Sequence, residues 1–162
     1  MQENNSKNLL EYMQWGDNTI FKLVSELTEE QINEDFGRNM RSIRDRLYHL
    51  AEDHLGWYCE VTGNDWRQPY EELQTKNPSE LIASVQQFHK KWLDLVANPS
   101  ETEFKFNEEN GIVVPMSLDE VAFNLANHAS YHRGQLMTLL RAQNKEAVIT
   151  DYKFYKISQI KK

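Results

Sequence analysis

Four long segments of the chain show the spacing of apolar residues that is typical of amphipathic α-helices, and this pattern restricts the possible fold most strongly. Each segment is long enough to span a small domain, and stretches rich in Gly, Pro and Asn separate them. The predicted helices cover residues 6–27, 42–62, 79–97 and 117–143. Four such helices, each with one apolar face to bury, predict an all-α fold, a four-helix bundle.

Residues that favour helix N-termini stand at the start of three of these segments. Ser42 and Ser79 are candidate N-caps. Ser117 is followed three residues later by Glu120, which is the spacing of a capping box. These positions predict where the second, third and fourth long helices begin.

The connection between the third and fourth helices has a different pattern. In EFKFNEENGIVVPM, Phe104 and Phe106 alternate with polar residues, and Asn110-Gly111 is a strong turn signal. This segment predicts a short hairpin or an extended crossover. The tail VITDYKFYKI is expected to fold back over the bundle as coil or a short helix. No repeat or second domain is evident, so one domain over residues 1–162 is expected.

The charge and cysteine content exclude several classes of protein. Asp and Glu number 25 against 18 Lys and Arg, so the net charge is -7 and a nucleic-acid partner is not expected. Cys59 is the single cysteine, which excludes an internal disulfide and fits a reducing compartment. The sequence has neither a signal-peptide pattern nor an apolar run of membrane-spanning length, so a cytoplasmic location without membrane contact is expected.

Polar residues interrupt the apolar stripe of the fourth helix. Its outer turns are apolar, whereas His128, His132 and Gln135 occupy the middle. Asp17 interrupts the stripe of the first helix in the same way. Because unpaired polar groups are costly in a core, these side chains need a shared partner.

The spacing of His128 and His132 indicates what that partner is. Histidines at positions i and i+4 lie one helical turn apart, which suits a first-row divalent metal. The alternative is a pair of core histidines that are hydrogen bonded to carbonyl groups and to Gln135 or Asp17. A third ligand could come from His49 or His54 of the second helix, and periodicity slightly favours His54.

Four segments of the chain resemble the DinB-like family, which is also called YfiT-like. The most specific is NHASYHRGQLMTLLR, which has the family's His-x-x-x-His-Arg-Gly-Gln pattern. YMQWGDNTI resembles the first-helix signature, with Gly16 and Asp17 in place of Ala and Asn. SIRDRLYHLAEDHLGWY resembles the second helix, and VITDYKFY resembles the usual ending. The resemblance covers nearly the whole chain.

The resemblance implies an up-down-down-up bundle with a metal held by three histidines. On matching positions these are His49, His128 and His132, so the motif favours His49 over His54. The metal in such proteins is zinc, nickel, iron or manganese, and imidazole suits several of them. Three further residues are candidates for positioning the ligating rings through hydrogen bonds: Asp17, Asp53 and Gln135.

The resemblance also implies a metal-dependent enzyme that acts on a small molecule. Characterised relatives include transferases and isomerases that use a low-molecular-weight thiol such as mycothiol or bacillithiol, and hydrolases are a further possibility. The alternative is a non-catalytic metal-binding protein of a stress response or an assembly. Leu55 and Tyr58 lie outside the main stripe of the second helix, which predicts a homodimer, and Gly134 suggests close approach of another backbone.

Overall fold

The computed structural model describes residues 5–37, 40–107, 110–146 and 148–160. These residues form mainly helices, together with one pair of strands. In chain order the elements are α1 (Asn5–Val24), α2 (Glu29–Asn33), α3 (Ile43–Thr62), α4 (Arg67–Thr75), α5 (Pro78–Ala97), β1 (Glu103–Asn107), β2 (Val113–Ser117), α6 (Leu118–Ala142) and α7 (Tyr152–Ile160). The four long helices α1, α3, α5 and α6 form the bundle, which confirms the predicted fold class.

Two pairs of long helices run parallel. Contacts between α1 and α6 join residues whose numbers rise together on both helices: Ser6 with Asp119 and Asp17 with Arg133. Contacts between α3 and α5 follow the same order: His54 with Phe88 and Tyr58 with Trp92. The first and last long helices therefore share one direction, and the middle two share another.

Contacts between the two pairs run in the opposite order. On α1 and α5, Asp17 meets His89 while Asn18 meets Gln86. On α3 and α6, His49 lies beside His132 while Asp53 meets His128. The bundle is therefore up-down-down-up, as the resemblance implied, and the connection containing α4 carries the chain between two parallel helices.

Capping boxes fix the starts of the helices that carry the polar residues. Ser42 and Ser117 are the N-caps of α3 and α6, and both predictions are confirmed. The predicted cap Ser79 is wrong, because the Asn77 side chain accepts from Glu80 N and Pro78 occupies the first turn. The fixed φ of proline suits that position, so the helix begins before Ser79.

The predicted hairpin is present, and short helices complete the fold. Strands β1 and β2 are antiparallel, with Phe106 opposite Val114, and Phe106 packs edge-on against Trp57 of α3 at 5.1 Å. The tail forms the short helix α7, which is anchored by the buried Tyr155. Helices α2 and α4 were not predicted from the sequence, because each presents few apolar residues. Among the described residues, no helix combines the length and apolar character needed to cross a membrane.

Buried apolar side chains from all four long helices form the core, and the packing of Leu55, Tyr58 and Gly134 differs from expectation. Leu55 is only 4% exposed and belongs to the chain's own core, and the half-buried Tyr58 packs on Trp92 beside that core, whereas the homodimer predicted from these residues stays a prediction. A Cβ at Gly134 would meet no atom within 4 Å apart from its own helix, so no other backbone of the described chain lies close to it.

Candidate metal centre

Helices α3 and α6 bring four side chains with metal-binding atoms to one place. His49 and Asp53 lie one turn apart on α3, and His128 and His132 lie one turn apart on α6. One nitrogen or oxygen of each residue lies within 4.8 Å of the corresponding atoms of the other three. The antiparallel packing of α3 and α6 thus converts two i, i+4 pairs into one cluster.

A single carboxylate oxygen lies among the three imidazole rings. Asp53 Oδ2 is 3.0 Å from His128 Nε2, 3.3 Å from His132 Nε2 and 3.6 Å from His49 Nε2. The Nε2 atoms of His128 and His132 are 2.9 Å apart. All three rings therefore direct the same type of nitrogen toward one point.

Hydrogen bonds on the far side of two rings determine where their protons lie. His49 Nδ1 is 3.3 Å from Glu52 Oε2, and His132 Nδ1 is 3.0 Å from Gln135 Oε1. Both partners are acceptors, so each Nδ1 carries a hydrogen and donates it. In the uncharged form of each ring, Nε2 then presents a lone pair to the cluster.

The Nε2 lone pairs of His49 and His132 and the Asp53 carboxylate oxygen face one another. They repel one another unless a cation or extra protons lie between them. A divalent metal satisfies this arrangement directly, because neutral imidazole and carboxylate are its usual ligands. The hydrogen bonds from His49 and His132 to Glu52 and Gln135 are those expected to orient ligating histidines. The donor set present in the chain therefore fits a divalent ion.

The cluster is buried on one side and open on the other. The His132 side chain is 2% exposed, whereas those of His49 and His128 are 42% and 43% exposed. Partial burial raises the pKa of Asp53, but in the absence of a metal a hydrogen bond from protonated His132, together with the positive charges of His49, His128 and His132 in their protonated forms, holds it below its usual value. Asp53 thus stays ionised at neutral pH, and a small molecule can reach the cluster from solvent.

A second polar cluster lies inside the bundle. Asp17 Oδ2 is 2.9 Å from His89 Nε2, and Asp17 Oδ1 accepts a hydrogen bond of 2.9 Å from Arg133 Nη1. His54 lies beside His89 with ring centroids 5.3 Å apart, and neither of its nitrogens has a partner among the described residues. Burial lowers the pKa of His54 to about 3, so its ring is uncharged.

We interpret this second cluster as a structural ion pair rather than a metal site. Asp17, His54 and His89 do offer atoms within 4.8 Å of one another. However, Arg133 already balances the Asp17 charge, and a divalent ion would leave two uncompensated positive charges in a buried region, which is costly. Burial alone would raise the pKa of Asp17, but His89 and Arg133 hold it below its usual value.

The structure separates residues that the sequence placed together. His49, His128, His132 and the candidate positioning residues Asp53 and Gln135 meet at the cluster between α3 and α6. The other candidate, Asp17, instead contacts the buried residues His89 and Arg133. His54, which periodicity favoured, also lies in that buried group.

Two residues near the candidate metal-binding cluster were missed by the sequence analysis. Glu52 accepts a hydrogen bond from His49 Nδ1, and its position three residues further along α3 is the only sequence signal for this role. Tyr131 is 62% exposed, stacks beside His128 at 6.4 Å between ring centroids, and has no distinctive spacing of its own. The polar stripe is also less buried than expected, since of its three polar residues only His132 is fully enclosed.

Comparison with known proteins agrees with this description of the fold and with the family resemblance. The sequence model of the DinB family matches residues 1–162. Protein DinB of Bacillus subtilis (strain 168) is 26% identical over 164 residues, which cover 91% of this chain and 91% of that protein.

A solved structure of YfiT from Bacillus subtilis has the same fold. It superposes with a TM-score of 0.67 and 15% identity, covering 90% of this chain and 91% of that one. That protein is described as a probable metal-dependent hydrolase with an unusual four-helix bundle topology. With the family match extending over the full sequence, the chain belongs to the DinB family.

Proposed function

We propose that this chain is a divalent-metal-dependent enzyme that acts on a small molecule, with His49, His128 and His132 as its metal ligands. The observation that carries the proposal is the convergence of three Nε2 atoms around one partly exposed point, with Nδ1 of His49 and His132 held by acceptors. Zinc, nickel, iron and manganese all accept such ligands. The YfiT description as a probable metal-dependent hydrolase supports the same class of chemistry.

Different residues of the chain would have different roles around such an ion. When bound, the ion supplies a Lewis acid that acidifies a coordinated water or thiol. Glu52 and Gln135 hold two of the ligating rings in the tautomer that binds metal. Tyr131 contacts the rings of both His128 and His132 at the open side, where a substrate would approach.

The reaction type is part of the proposal. Two reaction types fit a partly exposed site. In the first, a low-molecular-weight thiol is the co-substrate and its sulfur is transferred to an electrophile. The second is hydrolysis. We further propose a cytoplasmic homodimer without nucleic-acid or membrane partners. Phe123 is 61% exposed on α6 and is the first residue to test at a subunit interface.

The first experiment is metal analysis of untagged protein beside alanine variants of the three histidines. We expect about one ion per chain in the wild type and its loss from His49→Ala, His128→Ala and His132→Ala, with helical content retained. His54→Phe is the matched control, since it keeps a ring against Phe88 and should keep the metal. Wild-type protein that stays metal-free after loading with zinc, nickel, iron and manganese would overturn the proposal.

A second experiment separates an enzyme from a non-catalytic metal-binding protein. The presence of Asp53 as a fourth potential ligand favours the non-catalytic alternative, because structural sites use four protein ligands. Metal-loaded protein is incubated with ester substrates, and separately with an electrophile and 2-mercaptoethanol. Turnover that His128→Ala abolishes supports the enzyme, whereas full metal loading without turnover in either screen supports the alternative.

A further inference from the structure

We propose that Asp53 is a direct fourth ligand of the metal, bound through Oδ2, and that it closes the site until a substrate atom takes its place. The inference rests on the proposed function, because it requires a metal at the three histidines. It goes beyond that proposal by assigning a negatively charged, displaceable ligand to a three-histidine centre.

The position of Oδ2 carries the first step. A tetrahedral ion with bonds near 2.0–2.1 Å holds its ligand atoms about 3.3 Å from one another. Asp53 Oδ2 lies 3.0, 3.3 and 3.6 Å from the Nε2 atoms of His128, His132 and His49. These three distances, and the 2.9 Å between the Nε2 atoms of His128 and His132, are close to the edges of such a tetrahedron, so Oδ2 lies where a fourth ligand atom would be needed.

The contrast with Glu52 carries the second step. Both carboxylates lie on α3 within one turn of His49. Glu52 contacts Nδ1, on the far side of the His49 ring, whereas Asp53 faces the Nε2 atoms of all three rings. Glu52 can therefore only position His49, while Asp53 can reach the ion itself.

Charge and exposure carry the third step. Three neutral imidazoles leave the full double charge of a divalent ion, and Asp53 reduces it to a single positive charge. The Asp53 side chain is 21% exposed, and the flanking rings of His49 and His128 are more exposed still. An anionic ligand from solvent, such as a thiolate, can thus approach the position that Asp53 occupies.

The test uses Co²⁺ as the probe, because its visible absorption reports coordination number. We expect the wild type to show the intense bands of a four-coordinate ion. In Asp53→Ala, water replaces the carboxylate, the bands change, and Kd for Co²⁺ rises more than about 100-fold, beyond the 10- to 100-fold cost of losing a ring-positioning partner. Glu52→Gln is the matched control and should keep the wild-type spectrum.

A thiol titration tests displacement. With 2-mercaptoethanol, the band from sulfur coordination should appear at a lower thiol concentration in Co²⁺-loaded Asp53→Ala than in the wild type. If Asp53→Ala matches Glu52→Gln in spectrum, affinity and thiol response, Asp53 is not a ligand and this inference fails while the three-histidine site stands. If the wild type binds none of Co²⁺, Zn²⁺, Ni²⁺, Fe²⁺ and Mn²⁺, the proposed function itself fails.

Discussion

At the scale of single residues, the absence of a side chain at Gly16 makes room for a buried ion pair. A Cβ at this position would lie 2.8 Å from Arg133 Cζ and 2.9 Å from Arg133 Nε. The guanidinium cannot move aside easily, because it is 2% exposed and is held by Asp17 and Ser130. The absence of a side chain at Gly16 therefore leaves room for the Arg133 guanidinium, and the Asp17 carboxylate balances its charge.

Gly16→Ala should consequently destabilise the fold even though alanine favours helices. We expect the overpacked site to lower the free energy of unfolding by about 1–3 kcal/mol, as measured by urea denaturation. Gly134→Ala is the control, because its new methyl group faces open space, and it should stabilise the protein by about 0.5–1 kcal/mol. Equal effects of the two substitutions would contradict this account of Gly16.

At the scale of the element, the first turn of α3 holds the helix that carries His49 and Asp53. Asp45 completes its capping box by accepting hydrogen bonds from the backbone and hydroxyl of Ser42. Burial opposes ionisation of Asp45, but these bonds and the charges of Arg41 and Arg44 hold its pKa below the usual 3.8. A lowered folded-state pKa stabilises the protein above the unfolded-state value, and this contribution is lost as the pH falls through the folded pKa.

Asp45→Asn should therefore unfold at a lower urea concentration than the wild type at pH 7. The difference between the urea midpoints of the two proteins should become smaller as the pH falls below about 4, because the wild-type Asp45 carboxyl then becomes protonated. Asp94→Asn, at an exposed position of α5, controls for the loss of one negative charge. If the difference between the urea midpoints stays constant from pH 7 down to the acid limit, ionisation of Asp45 does not contribute to the stability of the fold.

At the scale of the whole molecule, the candidate metal-binding cluster lies between two antiparallel helices. His49 and Asp53 come from α3 and His128 and His132 from α6, so an ion bound to them would connect parts of the chain far apart in sequence. Because the unfolded chain lacks this arrangement, binding should stabilise the fold by about 2.7 kcal/mol at 100 times Kd.

This stabilisation should raise the Tm by roughly 5–10 °C, measured by a thermal melt with and without metal. A chelator should reverse the shift, and His128→Ala should remove it. The same melt with His54→Phe, in the second cluster, should keep the shift. If His128→Ala and His54→Phe both lose the metal-induced rise in Tm, the melts do not place the ion at the cluster between α3 and α6, and this prediction fails.

The sequence by itself determined the framework of this protein. Apolar spacing predicted the four long helices, cap residues located the starts of α3 and α6, and Asn110-Gly111 indicated the hairpin between α5 and α6. These features are local, because they depend on residues within a few positions of one another. The family resemblance added the choice of histidines, which spacing alone had left open.

Only the tertiary structure decided which polar residues meet. His49 and His54 are five residues apart, so they face directions that differ by about 140° around the helix. A neighbouring helix lies in each of these directions, since α3 packs against α6 on one side and against α5 on the other. Periodicity cannot say which neighbour lies on which side, and packing brings His49 and Asp53 to α6 while His54 turns toward α5. The place of Asp53 among the three rings follows from that packing, because the other side chains come from a distant part of the chain.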